Sequence, residues 1–253
     1  MSGHSKWSTI KRKKGAKDAK RGQIFTKIIK EITIAARLGG GDPDGNSRLR
    51  RALDAARAAN MPNDTQTRAI KKGTGELEGV HYEDLVYEGV GPGGTLFIME
   101  VMTDNRNRTA AEVRKLFEKG SGELAASGAA AWAFEQKGIV RIPKDQGTEM
   151  QIFEKAASAG AEDLGDEDEA WVVTTVREDL DSVSTALEDA GLKVTEAKLE
   201  YIPNIPKEVD GDDAKTLMEL FDALDEHDDI QSVFSDFELS EAALAQLESE
   251  DES

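Results

Sequence analysis

Between Lys6 and Arg21 the chain places eight cationic side chains, Lys6, Lys11, Arg12, Lys13, Lys14, Lys17, Lys20 and Arg21, and a single acid, Asp18. Ammonium and guanidinium groups set this densely repel one another unless a polyanion meets them, and nucleic-acid phosphate is the commonest one. Trp7 lies inside the block. It can stack on a base, worth about 1–3 kcal/mol, or pack on the first helix. Few other aromatics interleave with the charges, so the expected contacts are to phosphate and sugar, which position a ligand without reading its sequence. Lys27, Lys30 and Arg37 extend the series; with Lys20 they recur at intervals of seven, three and seven, which sets them on one helical face.

The charge balance of the rest of the chain gives this block its meaning. Residues 1–72 hold 18 Lys and Arg against 6 Asp and Glu, a net of +12, whereas residues 73–253 hold 14 against 44, a net of −30. An acidic remainder repels polyanions and confines binding to one end, so the pattern predicts an oriented nucleic-acid binder. The competing interpretation of the block is a solvated basic tail.

Other constellations carry weaker chemistry. Arg106 and Arg108 stand between a strand end and a helix start, where they could hold a secondary phosphate; pairing with Glu88 or Glu112 is the alternative. Two short helices joined by Asn60-Met-Pro-Asn63 have helix-turn-helix lengths, which would make Thr65, Gln66 and Arg68 base readers. Such pairs also occur in ordinary bundles, and Lys71 and Lys72 could simply complement a helix dipole. The glycines of Glu88–Gly94 lack the Lys-Ser/Thr of a phosphate loop and predict a hairpin turn. Asp42–Asn46 begins like a calcium loop, but Ser47 and Leu53 occupy the positions that need glycine and glutamate.

The chain has no cysteine, only three histidines (His4, His81 and His227) far apart, and acidic clusters without ligand spacing. These exclude disulfides and thiolate chemistry and predict no catalytic residue, no metal, no cofactor and no small-molecule substrate. Apolar runs such as Leu96 to Met99 are too short to cross a bilayer, and no apolar segment follows the basic start, so a cytoplasmic protein is expected.

The elements that must position these groups follow from periodicity. Residues 1–21 lack an apolar period and predict an extended or loosely helical arm. Ile24 to Ala36 recur at helical spacing up to Gly39-Gly-Gly41, and a second helix spans about 47–59 with Leu49, Leu53 and Ala56 inward and Arg48, Arg50, Arg51 and Arg57 outward. Asn60 suits its C-terminal cap, and Asn63 or Asp64 should cap a third helix ending near Gly73. From Tyr82 the period becomes two: strands 82–90 and 95–103 form a hairpin, followed by a helix capped by Asn107 or Thr109. Residues 138–201 then read strand, helix, strand, strand, helix, strand, the split βαβ of a ferredoxin-like domain. Pro203-Asn-Ile-Pro206 reads as a stiff linker, and a helix 212–225 and a strand 231–237 precede an acidic tail.

The expected fold class is therefore α+β, with a basic helical domain (1–75) and an interrupted α+β domain (76–131 with 203–240). A ferredoxin-like domain (132–202) is inserted in the latter, and the acidic tail covers 241–253.

The segments Gly3-His-Ser-Lys-Trp7, Asp18-Ala-Lys-Arg-Gly22, Phe25-Thr-Lys27, Gly39-Gly-Gly-Asp-Pro43, Asn60-Met-Pro62, Ala69-Ile-Lys-Lys-Gly73, Tyr87-Glu-Gly89 and Thr103-Asp-Asn-Arg-Asn-Arg-Thr109 resemble the YebC/PmpR family, to which the mitochondrial translational activator of cytochrome c oxidase also belongs. The resemblance spans nearly the whole chain. It implies a helical domain followed by two α+β domains, the last inserted in the middle one. It also implies a cytoplasmic DNA-binding regulator of transcription, or, as in some members, a factor acting on translation at the ribosome through ribosomal RNA. One loop departs from the family, which has Gly-Gly-Asn-Leu where this chain has Ser121-Gly-Glu-Leu124.

Overall fold

The computed structural model describes residues 17–167 and 169–243, with side chains described from residue 22 onward. Helix α1 (Lys17–Gly39) begins six residues before the start that apolar spacing gives, inside the stretch expected to be an arm. Lysine and alanine are good helix formers, so propensity favours helix in a stretch whose sequence has no apolar period. Helix α2 (Ser47–Ala58) is capped by Asn46, whose side-chain oxygen accepts from the Leu49 amide. The Asn46 amide nitrogen also donates to the Ala35 and Gly40 carbonyls, fixing the turn between α1 and α2. At the other end Asn60 takes a φ of 55° and the Met61 amide reaches back to the Ala56 carbonyl, a left-handed helix stop.

Helix α3 (Asn63–Gly73) starts without the expected Asn63 or Asp64 cap. Pro62 occupies the cap position and no side chain serves it. The end of α3 lies hard against α1: a Cβ on Gly73 would sit 2.4 Å from the Thr33 carbonyl oxygen. Ile32, Leu49, Ala56 and Ala69 are among the residues that fill the core of these three helices.

Strands β1 (Glu83–Val90) and β2 (Leu96–Thr103) form the expected antiparallel hairpin, turned by Gly93 and Gly94 at φ 67° and 72°. Helix α4 (Arg106–Lys119) is capped by Asn105, two residues before the first expected cap; its side chain accepts from the Arg108 amide. Strand β3 (Glu123–Ala125) pairs with β1.

The chain then leaves this sheet for β4 (Phe134–Pro143), α5 (Glu149–Ala159), β5 (Asp163–Asp166), β6 (Ala170–Val176), α6 (Leu180–Asp189) and β7 (Glu196–Pro203). These strands lie in the order β5-β6-β4-β7, all antiparallel, the ferredoxin-like arrangement. Strand β8 (Lys207–Val209) follows the prolines directly, so the expected linker is a tight connection between strands. Helix α7 (Gly211–Asp225) and β9 (Ile230–Ser235) return to the first sheet, where β9 pairs with β2 and completes the order β3-β1-β2-β9. Strand β10 (Phe237–Leu239) pairs in parallel with β8. The fold is thus a helical domain followed by two α+β domains, one inserted in the other.

Packing divides these units unequally. The two α+β domains share an apolar seam in which Ile98, Ala130 and Phe134 are buried and the Tyr201 and Phe234 rings lie 5.4 Å apart. Among the described residues, no apolar cluster joins the helical domain to either of them.

Candidate nucleic-acid interface

Of the expected phosphate contacts, Lys6, Trp7, Lys11, Arg12, Lys13 and Lys14 lie outside the described residues. Lys17, Lys20 and Arg21 are described only as backbone in the first turns of α1. The acidic tail beyond residue 243 is likewise outside.

Apart from Arg57, which pairs with Asp54 on its own helix, the described basic side chains of the helical domain fall into two sets. Arg37, Arg50, Arg68, Lys71 and Lys72 are exposed or half-buried and have no ion-pair partner among the described residues. Arg68, Lys71 and Lys72 are three and four residues apart on α3, so they share a face. Because a Cβ added to Gly73 would meet the Arg37 backbone nitrogen at 3.2 Å, the end of that face adjoins the end of α1.

The second set faces the other domains, and Lys27 and Lys30 belong to it. Gln23, Lys27 and Lys30 occupy positions i, i+4 and i+7 of α1, one stripe, and that stripe crosses the C-terminal end of α7. Gln23 donates to the Glu226 carbonyl, Lys27 Nζ to the Asp225 carbonyl at 2.8 Å, and Lys30 Nζ to the Asp228 carbonyl at 2.8 Å. Carbonyls at a helix C-terminus lack intrahelical donors and carry the negative end of the dipole, so ammonium groups suit them. Lys30 is also buried and pairs with Asp229 at 2.5 Å. A lysine so enclosed presents no charge to an outside phosphate.

Asp229 is the hub of this contact. Its second oxygen accepts from Thr109 at 2.6 Å, Arg108 at 2.9 Å and Thr103 at 3.2 Å. Burial works against its charge, but Lys30, Thr109 and Arg108 outweigh that and hold its carboxyl well below the usual range. Arg108 is consequently not the free phosphate contact that its position offered: Asp229 and Asp104 both hold its guanidinium, and Glu112 stands 3.9 Å away. Glu88, the other partner considered, instead accepts from the Gly128, Ala130 and Ala131 amides. Arg106 remains exposed without an ion-pair partner among the described residues.

Helix α2 completes the second set. Arg48, expected to point outward, bridges Glu31 at 2.7 Å and Asp84 of β1 at 2.8 Å; burial opposes its charge, but the two carboxylates prevail and raise its pKa. Arg51 pairs with Asp181 of α6. Sequence reasoning missed Arg48, Arg51 and Asp229 as inter-domain contacts, since each partner is distant along the chain. Gln66, a candidate base reader, is buried and donates to the Met61 carbonyl at 2.9 Å, so it holds the turn before α3 and reads nothing.

No group of three or more acids and histidines among the described residues is placed to bind a metal ion. No helix among them is long and apolar enough to cross a membrane.

A basic three-helix unit with one cationic face open and another closed by acids, ahead of two nested α+β domains, defines a class of multidomain protein built around one charged end. The chain belongs to the TACO1/YebC family. Residues 5–76 match the family's N-terminal domain and residues 82–237 its second and third domains. It is 51% identical over 247 residues to a protein of Geobacter sp. (strain M21) named probable transcriptional regulatory protein, covering 98% of this chain and 100% of that one. A relative so named from Acidithiobacillus ferrooxidans is 54% identical over 248 residues, 98% of this chain and 99% of its own. The crystal structure of a conserved hypothetical protein from Aquifex aeolicus superposes with a TM-score of 0.84 at 43% identity, over 88% of this chain and 93% of that one.

Proposed function

We propose that the protein is a non-enzymatic, cytoplasmic regulator of transcription that binds DNA through its helical domain, residues 1–75. The domains made of residues 76–131 with 203–240 and of residues 132–202 act as an acidic body that orients it. The observation that carries this is the partition of charge. The helical domain keeps a cationic face, Arg37, Arg50, Arg68, Lys71 and Lys72, without acidic partners among the described residues, and the sequence adds Lys6 to Arg21 to the same domain. The names of the relatives support regulation of transcription. The loss of Gln66 as a base reader favours backbone recognition, and it keeps a second reading open in which the same face holds structured ribosomal RNA in a translation factor.

Binding of the full chain to duplex DNA and to a ribosomal RNA fragment, followed across salt concentration, tests the proposal. Neutralising about five to eight phosphates gives a slope of log K against log salt near −4 to −7 on duplex DNA. Replacing Arg68, Lys71 and Lys72 together by alanine should weaken binding almost equally on unrelated sequences and leave the stability to unfolding within about 0.5 kcal/mol per substitution of its starting value. A slope near zero removes the proposal, and tight binding to ribosomal RNA alone selects the second reading.

A further inference from the structure

The set of bases turned towards the other two domains has no core behind it. Lys27, Lys30, Arg48 and Arg51 leave the helical domain on the side that meets the acidic body, and each meets an anionic group there. Asp225 lies 3.8 Å from Lys27, Asp229 2.5 Å from Lys30 and Asp84 2.8 Å from Arg48, and Asp181 pairs with Arg51. The carbonyls of Asp225 and Glu226 at the end of α7, and of Asp228 in the turn that follows, add further acceptors for the α1 stripe. Among the described residues no apolar cluster crosses this boundary, whereas the two α+β domains share one. The connection from Thr74 to Tyr82 contains no helix or strand and is largely exposed. Three of the pairs, Lys27–Asp225, Arg48–Asp84 and Arg51–Asp181, are part-exposed, so salt screens and weakens them, and Lys30–Asp229 is the one buried anchor.

We propose that Lys27, Lys30, Arg48 and Arg51 form a second, concealed phosphate-binding face, in which carboxylates of the other two domains occupy the places of nucleic-acid phosphates. Guanidinium groups bind carboxylate and phosphate through the same paired donors, and an ammonium serves either as a point charge. A polyphosphate chain already held on the open face stands as a high local concentration of competitor for these four side chains. Binding there exchanges four protein ion pairs for phosphate contacts and swings the helical domain away from the acidic body about residues 74–82. The open face gives the first encounter and the concealed face the tighter state. This rests on the nucleic-acid reading above.

The test uses the full chain and two acids, exposed Asp84 and half-buried Asp181, that belong to none of the apolar cores. In Asp84→Asn with Asp181→Asn, Arg51 loses its carboxylate partner and Arg48 keeps only Glu31. Affinity for a short mixed-sequence duplex DNA should tighten about three- to tenfold at low salt, the range two exposed pairs supply. The salt slope should steepen by about one to two, one extra phosphate contact adding roughly 0.9. A control, Glu149→Gln with Glu154→Gln, removes the same formal charge from exposed α5 positions without ion-pair partners among the described residues. Its binding should stay near that of the parent chain; equal tightening in the control overturns the proposal.

Domain separation is read independently of binding. The chain has no cysteine, so Thr67→Cys and Glu154→Cys, both exposed, accept a dye pair specifically. The inter-dye distance should grow on adding duplex, and with added salt alone it should grow at lower concentration in the Asn variant. Steep binding by the parent chain with no change in the Asn variant and a constant distance overturns the concealed face and leaves the function standing. No binding by the parent chain at any salt removes both.

Discussion

Lys30 and Asp229 are 199 residues apart in sequence and 2.5 Å apart in space. The pair joins the second half of α1 to the turn before β9, so the first and last parts of the chain meet at one buried ion pair. Removing one member of such a pair leaves an uncompensated charge, which costs about 3–5 kcal/mol. Asp229→Ala should therefore destabilise the protein by about that amount in urea unfolding, Arg108, Thr103 and Thr109 losing their acceptor as well. Lys30→Met with Asp229→Asn should recover part of it. Because the folded carboxyl is held below its unfolded value, the stabilisation is complete above the unfolded pKa of about 4 and fades as pH falls further. A stability profile flat between pH 3 and 6 would count against the pair.

Glu100 behaves with the opposite sign. It lies half-buried in the middle of β2, and burial pushes its pKa to about 7. The nearby carboxylates of Asp84 and Glu31 push the same way, against a hydrogen bond with Ser232 and the charge of Arg48. A carboxyl whose folded pKa lies above its unfolded one costs nothing at low pH and destabilises increasingly between about pH 4.5 and 7. Glu100→Gln should leave stability at pH 5 nearly unchanged and raise it by about 1–3 kcal/mol at pH 8. Denaturant curves for the pair of proteins at the two pH values decide it; a gain of equal size at both would point to packing as the cause.

The contrast between these two carboxylates shows where the sequence was legible. The hairpin, the ferredoxin-like order and the return of the chain to an interrupted sheet followed from periodicity, because each element is long enough for its period to show. Strands β3, β8 and β10 have three residues each and show none. The α1 stripe was also visible as a face of lysines. What it meets was not, since an acidic domain and a phosphate chain ask for the same residues at the same spacing. Only the fold brings Asp225, Asp228 and Asp229 under Lys27 and Lys30. Gln66 failed as a base reader for a local reason: the Met61 carbonyl left over by the left-handed turn at Asn60 needed a donor.

The turn after α4 holds Ser121 in the left-handed region of backbone space. Its φ is 57°, one of only two positive values among described residues other than glycine. The turn closes α4, with the Gly122 amide returning to the Phe117 carbonyl at 2.8 Å. A left-handed conformation strains a residue with a Cβ and suits glycine. Ser121→Gly should stabilise the protein by about 0.5–1 kcal/mol, net of the entropy that glycine adds to the unfolded chain. Thermal unfolding of the variant gives the sign directly, and a loss of stability would mean that the serine side chain compensates for its strain.

A fragment beginning at residue 76 separates the roles of the two ends. Its two α+β domains keep their own cores and the seam around Tyr201 and Phe234, and none of these clusters includes a residue of α1, α2 or α3. Asp229 loses Lys30 but retains Arg108, Thr103 and Thr109, so its carboxylate stays hydrogen-bonded. The fragment should fold cooperatively, with stability reduced by about 1–3 kcal/mol for the lost charged hydrogen bond. Residues 73–253 carry a net charge of −30, so its affinity for duplex DNA and for ribosomal RNA should fall to background at physiological salt. Circular dichroism establishes folding, and a binding titration against both polymers completes the comparison. Retained tight binding by a folded fragment would place the interface on the acidic body, and the helical domain would then have to serve another anionic partner.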